Sequence, residues 1–270
     1  FKALMKKGVT ALSFENIEDE DGIVPVVRSM SEIAGNTSIL IAAEYLSNAN
    51  EGKGFMLGGV SGVPPTEVVI IGAGTVGTFA ARTALGLGAN VKVFDRSLSK
   101  LRRLQSMLNN IPIYTCVIQP KILDKALMRC DVAVGAIRSE TGRTPCVVTE
   151  DMVRKMKPGS VVVDVSIDQG GCFETSDLTS HDQPVFRKFD IVHYCVPNIA
   201  SRVSRTASFS LSNIMAPVLL SIGEAGGIEE VLHLQRHIRK GLYLYKGNLV
   251  RKGIGEWFDL PYAEVDLLFD

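Results

Sequence analysis

The sequence predicts an α/β protein: a doubly wound parallel sheet, joined to part of a second domain that both ends of the chain build. Two observations predict this fold class. From Glu67 onward, short apolar runs alternate with stretches of helical spacing, which is typical of parallel strands joined by crossover helices. The first run, EVVII, leads directly into a glycine-rich turn that opens a helix. At 270 residues, the chain is long enough to bury one large core or two modest ones.

The predicted sheet has at least five strands. EVVII is followed by a helix over residues 75–87 and then by the strand NVKVFD. Three further apolar runs, at residues 131–136, 160–166 and 191–196, each follow a polar or helical stretch. This number of strands matches one nucleotide-binding domain in size.

The predicted organisation has three segments. Residues 31–46 have the spacing of a long connecting helix, and residues 52–65 are too rich in glycine and proline for a helix or a central strand. After the last strand of the sheet, two helices, over residues 211–222 and 228–241, and a hairpin leave the βαβ pattern. We therefore expect a substrate-domain remnant at residues 1–30, a cofactor domain at 31–204, and a return to the substrate domain at 205–270.

The composition excludes several classes of partner. Lysine plus arginine equals aspartate plus glutamate, 29 against 29, so no overall field draws the chain to nucleic acid or to an anionic membrane. The five cysteines show no metal-site spacing, and Cys172 is expected to be a packing residue. We identify no signal peptide and no apolar run of about 18 residues, which predicts a cytoplasmic protein. Because Phe1 begins what reads as the end of a helix, we expect that an N-terminal region is missing.

The turn after EVVII reads GAGTVG and lies between a predicted strand and a predicted helix. In this fingerprint, Gly72 permits the tight turn, Gly74 lets backbone amides approach a pyrophosphate, and Gly77 lets the helix pack closely on the strand. The phosphates then lie at the helix N-terminus. The fold class is therefore Rossmann-type, with a dinucleotide as the cofactor.

Asp95 is the candidate ribose ligand. It ends the strand NVKVFD, 18 residues beyond Gly77, close to the spacing of about 20 that the fingerprint requires. Its carboxylate can accept hydrogen bonds from the adenosine ribose hydroxyls and would repel a 2′-phosphate. The adjacent Arg96 can pair with a phosphate, but we expect it to be a solvated residue at the adenine rim. These residues favour NAD over NADP.

Asp168 is the candidate active-site acid. Ligands of a doubly wound sheet bind beyond the carboxyl ends of its strands, where the sequence reads IDQGGC. A carboxylate there can bind the nicotinamide ribose, orient a substrate ammonium or relay a proton. It can equally cap a turn beside two glycines. His193 is expected to be a core histidine, whereas Asn198 can either donate to a ligand or be an ordinary turn residue.

Several runs of this sequence resemble the alanine dehydrogenase family. They are MSEIAG at residues 30–35, LGGVSGVPP at 57–65, VVIIGAGTVGT at 68–78, MKPGSVVVDVSIDQGGCFETS at 156–176, and HYCVPN with RTAS at 193–198 and 205–208. The IDQGGC stretch favours this family over transhydrogenase alpha subunits, which lack its aspartate–glutamine pair. The resemblance implies a homohexamer that reversibly deaminates L-alanine with NAD to pyruvate and ammonium. Hydride then passes from Cα to the nicotinamide, and water attacks the resulting imine.

The resemblance also implies roles for single residues. Asp168 is then the acid/base residue, Asp95 the ribose ligand, Lys100 a neighbour of the adenosine and Ser31 a pyrophosphate or hinge contact. The residues implied around the nicotinamide are Ile137, Val165, Ile167, Val196 and Asn198.

The sequence departs from the family pattern in three respects. Residues 138–143 are strongly polar where the family has glycine and proline, and VPNIA at 196–200 replaces VANMP. The family's substrate-binding arginine, lysine and catalytic histidine are expected to precede this chain, so we expect it to bind NAD without turning over alanine alone. Three alternatives stay open: a transhydrogenase alpha-like subunit, an opine or lysine-pathway dehydrogenase, and a non-catalytic NAD-binding subunit.

Overall fold

The computed structural model describes residues 1–139 and 142–269. The backbone packs into two compact units. One consists of Phe1–Met30 with Arg205–Asp270, and the other of Ser31–Ser204. The larger sheet lies in the Ser31–Ser204 unit.

The helices of the described residues are α1 (Lys2–Lys6), α2 (Pro25–Leu46), α3 (Thr75–Gly86), α4 (Leu98–Met107), α5 (Pro120–Leu127), α6 (Glu150–Arg154), α7 (Ser204–Glu224), α8 (Ile228–Leu234), α9 (Arg236–Arg239) and α10 (Lys252–Phe258). The strands are β1 (Ala11–Leu12), β2 (Glu67–Ile71), β3 (Asn90–Asp95), β4 (Tyr114–Val117), β5 (Val132–Gly135), β6 (Val161–Asp164), β7 (Val185–Lys188), β8 (Ile191–Tyr194), β9 (Leu242–Tyr245) and β10 (Asn248–Leu249). Short 3-10 helices lie at Phe14–Asn16, Asn48–Asn50, Val165–Gln169, Ile199–Val203 and Asp266–Leu268.

Among the described residues of the Ser31–Ser204 unit, seven strands form one sheet in the order β4-β3-β2-β5-β6-β8-β7. Neighbouring strands are parallel, except for the antiparallel pair β7 and β8. The chain runs from β2 to β3 and β4 on one side and then returns to β5 and β6 on the other. The strand order therefore reverses between β2 and β5. The predicted fold class, a Rossmann-type doubly wound sheet, is confirmed.

The central strands are apolar because both of their faces are buried. On β2, Val68 and Ile70 pack into one core cluster, and Val69 and Ile71 pack into a second cluster on the opposite face. Every residue of β5 and β6 is buried. The edge strands β4 and β7 are only partly buried, which explains why the apolar runs of the sequence do not reveal them.

Helix α2 packs against α3 through Gly35. A Cβ atom built on Gly35 would lie 2.4 Å from the Val76 carbonyl oxygen and 2.8 Å from Phe79 Cβ. These distances leave no room for a side chain. The helix begins at Pro25, six residues before the predicted start, because the fixed φ of proline suits a first helical turn.

The unit formed by both chain ends contains a three-stranded antiparallel sheet, in the order β1-β9-β10, within the part of the chain that the structure describes. Strands β9 and β10 form a hairpin whose turn residues, Lys246 and Gly247, both have positive φ. Such angles suit the tight turns that match the twist of a hairpin. The helix expected over residues 228–241 is divided into α8 and α9 at Gln235, which is not helical.

One helical segment of the described residues, Ile199–Glu224, is long and apolar enough to cross a membrane by length and composition. Only 6% of its most apolar window is buried. The sequence analysis identifies no such run, because serine, asparagine and proline interrupt the apolar residues. A single helix of this kind is weak evidence for a membrane span.

Replacing Gly35 by alanine is expected to lower the free energy of unfolding by about 1–3 kcal/mol, because the new Cβ would overlap the backbone of α3. Gly86 is the matched control, since it ends α3 and a Cβ built there meets no atom within 4 Å. Gly86→Ala should leave stability unchanged or raise it by up to about 1 kcal/mol. Urea unfolding followed by circular dichroism measures both effects. Equal effects would contradict the close packing at Gly35.

Candidate cofactor and active site

The three fingerprint glycines between β2 and α3 differ in what surrounds them. Gly72 has φ +116°, and a Cβ there would lie 2.3 Å from the Ala136 carbonyl oxygen. A Cβ on Gly77 would lie 1.8 Å from the Gly72 carbonyl oxygen. A Cβ on Gly74 meets nothing within 4 Å, so this residue borders open space. Two of the glycines are therefore needed for packing, and the third leaves space for a ligand.

The open space beside Gly74 lies at the N-terminus of α3. Gly74 is the N-cap residue of this 12-residue helix, and no side chain provides a capping hydrogen bond. The first N–H groups of the helix therefore point towards the space beside Gly74. An anion is favoured there by these donors and by the positive end of the helix dipole. The site fits the pyrophosphate of a dinucleotide.

Asp95 ends β3 beside this turn. Its Oδ2 accepts a 2.7 Å hydrogen bond from the Ala73 N–H, and its Oδ1 accepts one of 2.8 Å from the Ser97 N–H. A carboxylate has about four acceptor positions, so both oxygens retain acceptor capacity for ribose hydroxyls. The structure places this carboxylate against the glycine turn, on the β3 side of β2.

Three other residues are predicted on the cofactor side of the site. Arg96 is exposed, and Lys100 is exposed in the first turn of α4, where its N–H donates to the N-cap Ser97. Ser31 is half-buried on α2, one turn before Gly35, which contacts the first two turns of α3. Their contacts with a cofactor stay predictions.

Beyond β6, the 3-10 helix Val165–Gln169 carries three of the predicted site residues. The side chain of Ile167 is buried and that of Val165 is half-buried, which leaves little of either for a ligand. Asp168 is exposed. Of these three residues, Asp168 therefore offers the group that is accessible to a substrate.

The segments after β5 and β8 are hydrogen-bonded to this 3-10 helix. The Ile137 N–H donates to Ser166 Oγ at 3.0 Å. The Asn198 N–H donates to Asp168 Oδ1 at 3.0 Å, and Asn198 has a left-handed conformation with φ +51°. Val196 is buried just before it. The structure therefore brings together the ends of β5, β6 and β8.

The contact between Asp168 and Asn198 bears on both hypotheses for Asp168. Its carboxylate holds the turn after β8, as a structural aspartate would. Because the side chain is also exposed, it is accessible to a cationic group at the carboxyl edge of the sheet. The two roles are compatible, since one carboxylate accepts several hydrogen bonds.

Sequence reasoning missed Asp164, the buried carboxylate at the end of β6. Its Oδ1 accepts from the Ser166 N–H at 3.0 Å, and its Oδ2 accepts from the Cys172 N–H at 2.9 Å and from Ser176 Oγ at 2.7 Å. Burial raises the pKa of the Asp164 carboxyl and is the largest effect on it, while these hydrogen bonds lower the pKa. The signal in the sequence is an acid that ends an apolar strand shortly before two glycines.

Close packing around Asp164 requires glycine at two positions. A Cβ on Gly135 would lie 2.5 Å from Asp164 Oδ1, and one on Gly171 would lie 2.7 Å from Oδ2. The carboxylate thus organises the loop that carries Asp168, without facing the ligand space itself. Asp164 and Asp168 have different environments although only three residues lie between them.

Two described residues of the polar stretch 138–143 contact the same loop. Glu140 and Thr141 are outside the described residues. Arg143 packs over Gly170, where a Cβ would lie 2.8 Å from Arg143 Nε. Ser139 therefore contacts Gln169, and Arg143 contacts Gly170.

His193 and Cys172 are buried, as the sequence analysis expects. His193 Nε2 lies 2.9 Å from Thr175 Oγ1, and its Nδ1 lies 3.0 Å from the Ile191 carbonyl oxygen. Burial lowers the pKa of His193 to about 4 and raises that of the Cys172 thiol well above its usual value. Neither side chain is exposed, so neither is accessible to a substrate. Within residues 1–139 and 142–269, no group of three His, Cys, Asp or Glu side chains could hold a metal ion.

The buried neutral ring of His193 predicts a pH dependence of stability. An unfolded histidine titrates near about 6.5, so the unfolded chain gains a proton between pH 7 and 5 that the native ring does not. The stability contributed by the neutral ring is present above pH 6.5 and is lost as the pH falls towards the native pKa of about 4. Between pH 7 and 5, the free energy of unfolding of the wild type should fall by about 2 kcal/mol more than that of His193→Gln. Urea unfolding at the two pH values measures this difference. His181→Gln, which removes an exposed histidine, should keep the wild-type dependence, and identical curves for His193→Gln would contradict the assignment.

Two alanine substitutions in the glycine turn are expected to fail in different ways. Gly74→Ala should fold with an unchanged melting temperature but lose at least about tenfold in NADH affinity, because its methyl enters the ligand space. Gly77→Ala should lower the melting temperature strongly, because its Cβ would overlap Gly72. Thermal unfolding and NADH fluorescence titration distinguish the two. Similar melting temperatures for both variants would contradict these separate roles.

Comparison with known proteins agrees with this geometry. The family model "Alanine dehydrogenase/PNT, C-terminal domain" matches residues 38–252. The chain is 40% identical over 266 residues to the alanine dehydrogenase of Methanococcus maripaludis, covering 98% of this chain and 71% of that protein. It is 38% identical over 262 residues to the alanine dehydrogenase of Mycolicibacterium smegmatis, covering 97% and 70%.

Solved structures give the same result. An L-alanine dehydrogenase superposes with a TM-score of 0.89 at 36% identity, covering 96% of this chain and 71% of the other. A transhydrogenase from Sinorhizobium meliloti superposes with a TM-score of 0.74 at 21% identity, covering 93% and 69%, which shows a shared fold. The resemblance predicted from the sequence motifs is confirmed, and the chain belongs to the alanine dehydrogenase/PNT family.

Proposed function

We propose that this chain is the dinucleotide-binding part of an NAD-dependent alanine dehydrogenase, which reversibly converts L-alanine to pyruvate and ammonium. The observation that carries the proposal is the position of Asp168: an exposed carboxylate at the carboxyl edge of the sheet, beside the segment that follows β8. The identity of 38–40% to alanine dehydrogenases over almost the whole chain supports this chemistry. The same identity does not favour the alternatives, which are a transhydrogenase-like subunit, an opine or lysine-pathway dehydrogenase and a non-catalytic subunit.

The cofactor would lie across the reversal of strand order. The amides beside Gly74 would bind the pyrophosphate, and Asp95 would accept hydrogen bonds from the adenosine ribose. Two backbone N–H groups already hold the Asp95 carboxylate in this position. Its negative charge would repel a 2′-phosphate, which disfavours NADP. Ser31 and Lys100 would support the same half of the site.

The nicotinamide half would lie at the ends of β5, β6 and β8. A nicotinamide bound there would supply the acceptor for the hydride that leaves Cα of alanine. Asp168 attracts the substrate ammonium and takes up a proton from it, which favours formation of the imine. Water then adds to the imine carbon, and ammonium leaves as the carbonyl of pyruvate forms. In the reverse direction the same carboxyl returns its proton to the developing amine. Ile137, Val165, Ile167, Val196 and Asn198 would form the surroundings of the ring.

The assembly and the location of the protein are part of the same proposal. Family resemblance implies a homohexamer in the cytoplasm, with residues 1–30 and 205–270 contributing to a substrate domain. It also implies a substrate-binding arginine, lysine and histidine, which we assign to no residue of this chain. Turnover is therefore best measured on the protein expressed from its complete gene.

Two substitutions of Asp168 distinguish a catalytic carboxylate from a turn cap. Asp168→Asn keeps an oxygen that can accept from the Asn198 N–H, but it loses the negative charge and the ability to take up a proton. It should lower kcat for alanine oxidation by about 10²–10⁴-fold while NADH affinity changes little. Asp168→Ala, which also loses the turn contact, should weaken NADH binding as well. Near-normal turnover by Asp168→Asn, with loss only in Asp168→Ala, would show that the residue is a cap.

A further inference from the structure

Gln169, the residue after Asp168, makes a two-point contact that the proposed chemistry does not use. Its Nε2 donates to the Ser139 carbonyl oxygen at 3.1 Å, and its Oε1 accepts from the Ser139 N–H at 3.0 Å. The carboxamide therefore pairs with one residue of the backbone as a neighbouring peptide group would. The side chain is half-buried, which strengthens both hydrogen bonds relative to water.

Further contacts extend this pairing along the same two segments. The Thr144 N–H donates to the Gln169 carbonyl oxygen at 2.8 Å. On the other side, the Ile137 N–H donates to Ser166 Oγ at 3.0 Å. The segment that follows β5 is thus attached to the 3-10 helix at residues 137, 139 and 144. Gln169 is the member of this set whose side chain acts as donor and acceptor at once.

Sheet order determines which half of a dinucleotide lies beside this contact. Asp95 and the end of β3 lie on one side of β2, and the ends of β5 and β6 lie on the other. If the adenosine half lies towards Asp95, the nicotinamide half lies towards Ile137 and Asp168. Gln169 joins the two segments that carry these residues, and Asp168 in turn holds the segment after β8.

We propose that Gln169 is a positioning residue for the nicotinamide half of the site: its carboxamide holds the segment that follows β5 against the turn that carries Asp168. The proposal rests on the proposed function, because it assumes a nicotinamide cofactor. Glutamine suits the role because its neutral carboxamide matches the carbonyl and the N–H of Ser139 simultaneously. A glutamate would place a carboxylate oxygen against the Ser139 carbonyl oxygen, where the glutamine now donates.

The test compares two ligands on the same variants. NADH contains the nicotinamide, whereas ADP-ribose contains the adenosine, the pyrophosphate and the second ribose without it. Gln169→Glu removes one hydrogen bond and adds repulsion, and Gln169→Met keeps the length of the side chain without its polar atoms. Gln105→Glu on α4 makes the same charge change away from this contact and serves as the matched control.

For both Gln169 variants, NADH should bind about tenfold more weakly, while ADP-ribose affinity stays within about twofold of wild type. Isothermal titration calorimetry measures the affinity for both ligands. An ADP-ribose affinity equal to that of the wild type also shows that the domain of each variant is folded. The Gln105→Glu control should bind both ligands normally. Equal weakening of the two ligands, or no weakening of either, would overturn the proposal.

Kinetics on the protein expressed from its complete gene separate this inference from the proposed function. Gln169→Glu should raise KM for NAD and lower kcat, and KM for NAD should not change in Gln105→Glu. If the wild-type protein binds NADH but oxidises no alanine, the proposed alanine activity fails. The comparison of NADH with ADP-ribose still decides the role of Gln169 in that case.

Discussion

Backbone crowding where the strand order reverses is the constraint on which the rest of this structure depends. A Cβ on Gly77 would lie 1.8 Å from the Gly72 carbonyl oxygen, and one on Gly72 would lie 2.3 Å from the Ala136 carbonyl oxygen. These glycines allow α3 to approach β2, and β2 to approach the end of β5. The N-terminus of α3 therefore points into the space at the carboxyl edge of the sheet, where its donors can bind an anion.

A second centre of organisation is the buried carboxylate of Asp164. It accepts hydrogen bonds from the backbone and a hydroxyl, and glycines at 135 and 171 leave the space that it occupies. Asp168 lies one turn further along the chain but is exposed and contacts Asn198. Two carboxylates close in sequence thus have different environments, because one is enclosed by its own loop and the other is exposed.

The sequence predicts the parts of this fold whose signals are local. The strands β2, β5, β6 and β8 are recognisable because almost all of their residues are buried, and most of these are apolar. Strand β3 is recognisable from its buried residues Val91, Val93 and Phe94. The edge strands β4 and β7 lack this signal, since they are only partly buried. The break at Gln235 is also invisible, because the apolar spacing continues across it although the backbone is not helical there.

By itself, the sequence determined the glycine turn, the acid at the end of β3 and the apolar strands, since each depends on residues that are close in the chain. Tertiary structure alone decided that Gln169 pairs with Ser139, and that Asp168 pairs with Asn198, in both cases across 30 positions. The burial of Asp164 was decided in the same way. Sheet order sets these contacts, because parallel strands distant in sequence bring their carboxyl ends to one edge, and no local spacing in the chain encodes which ends become neighbours.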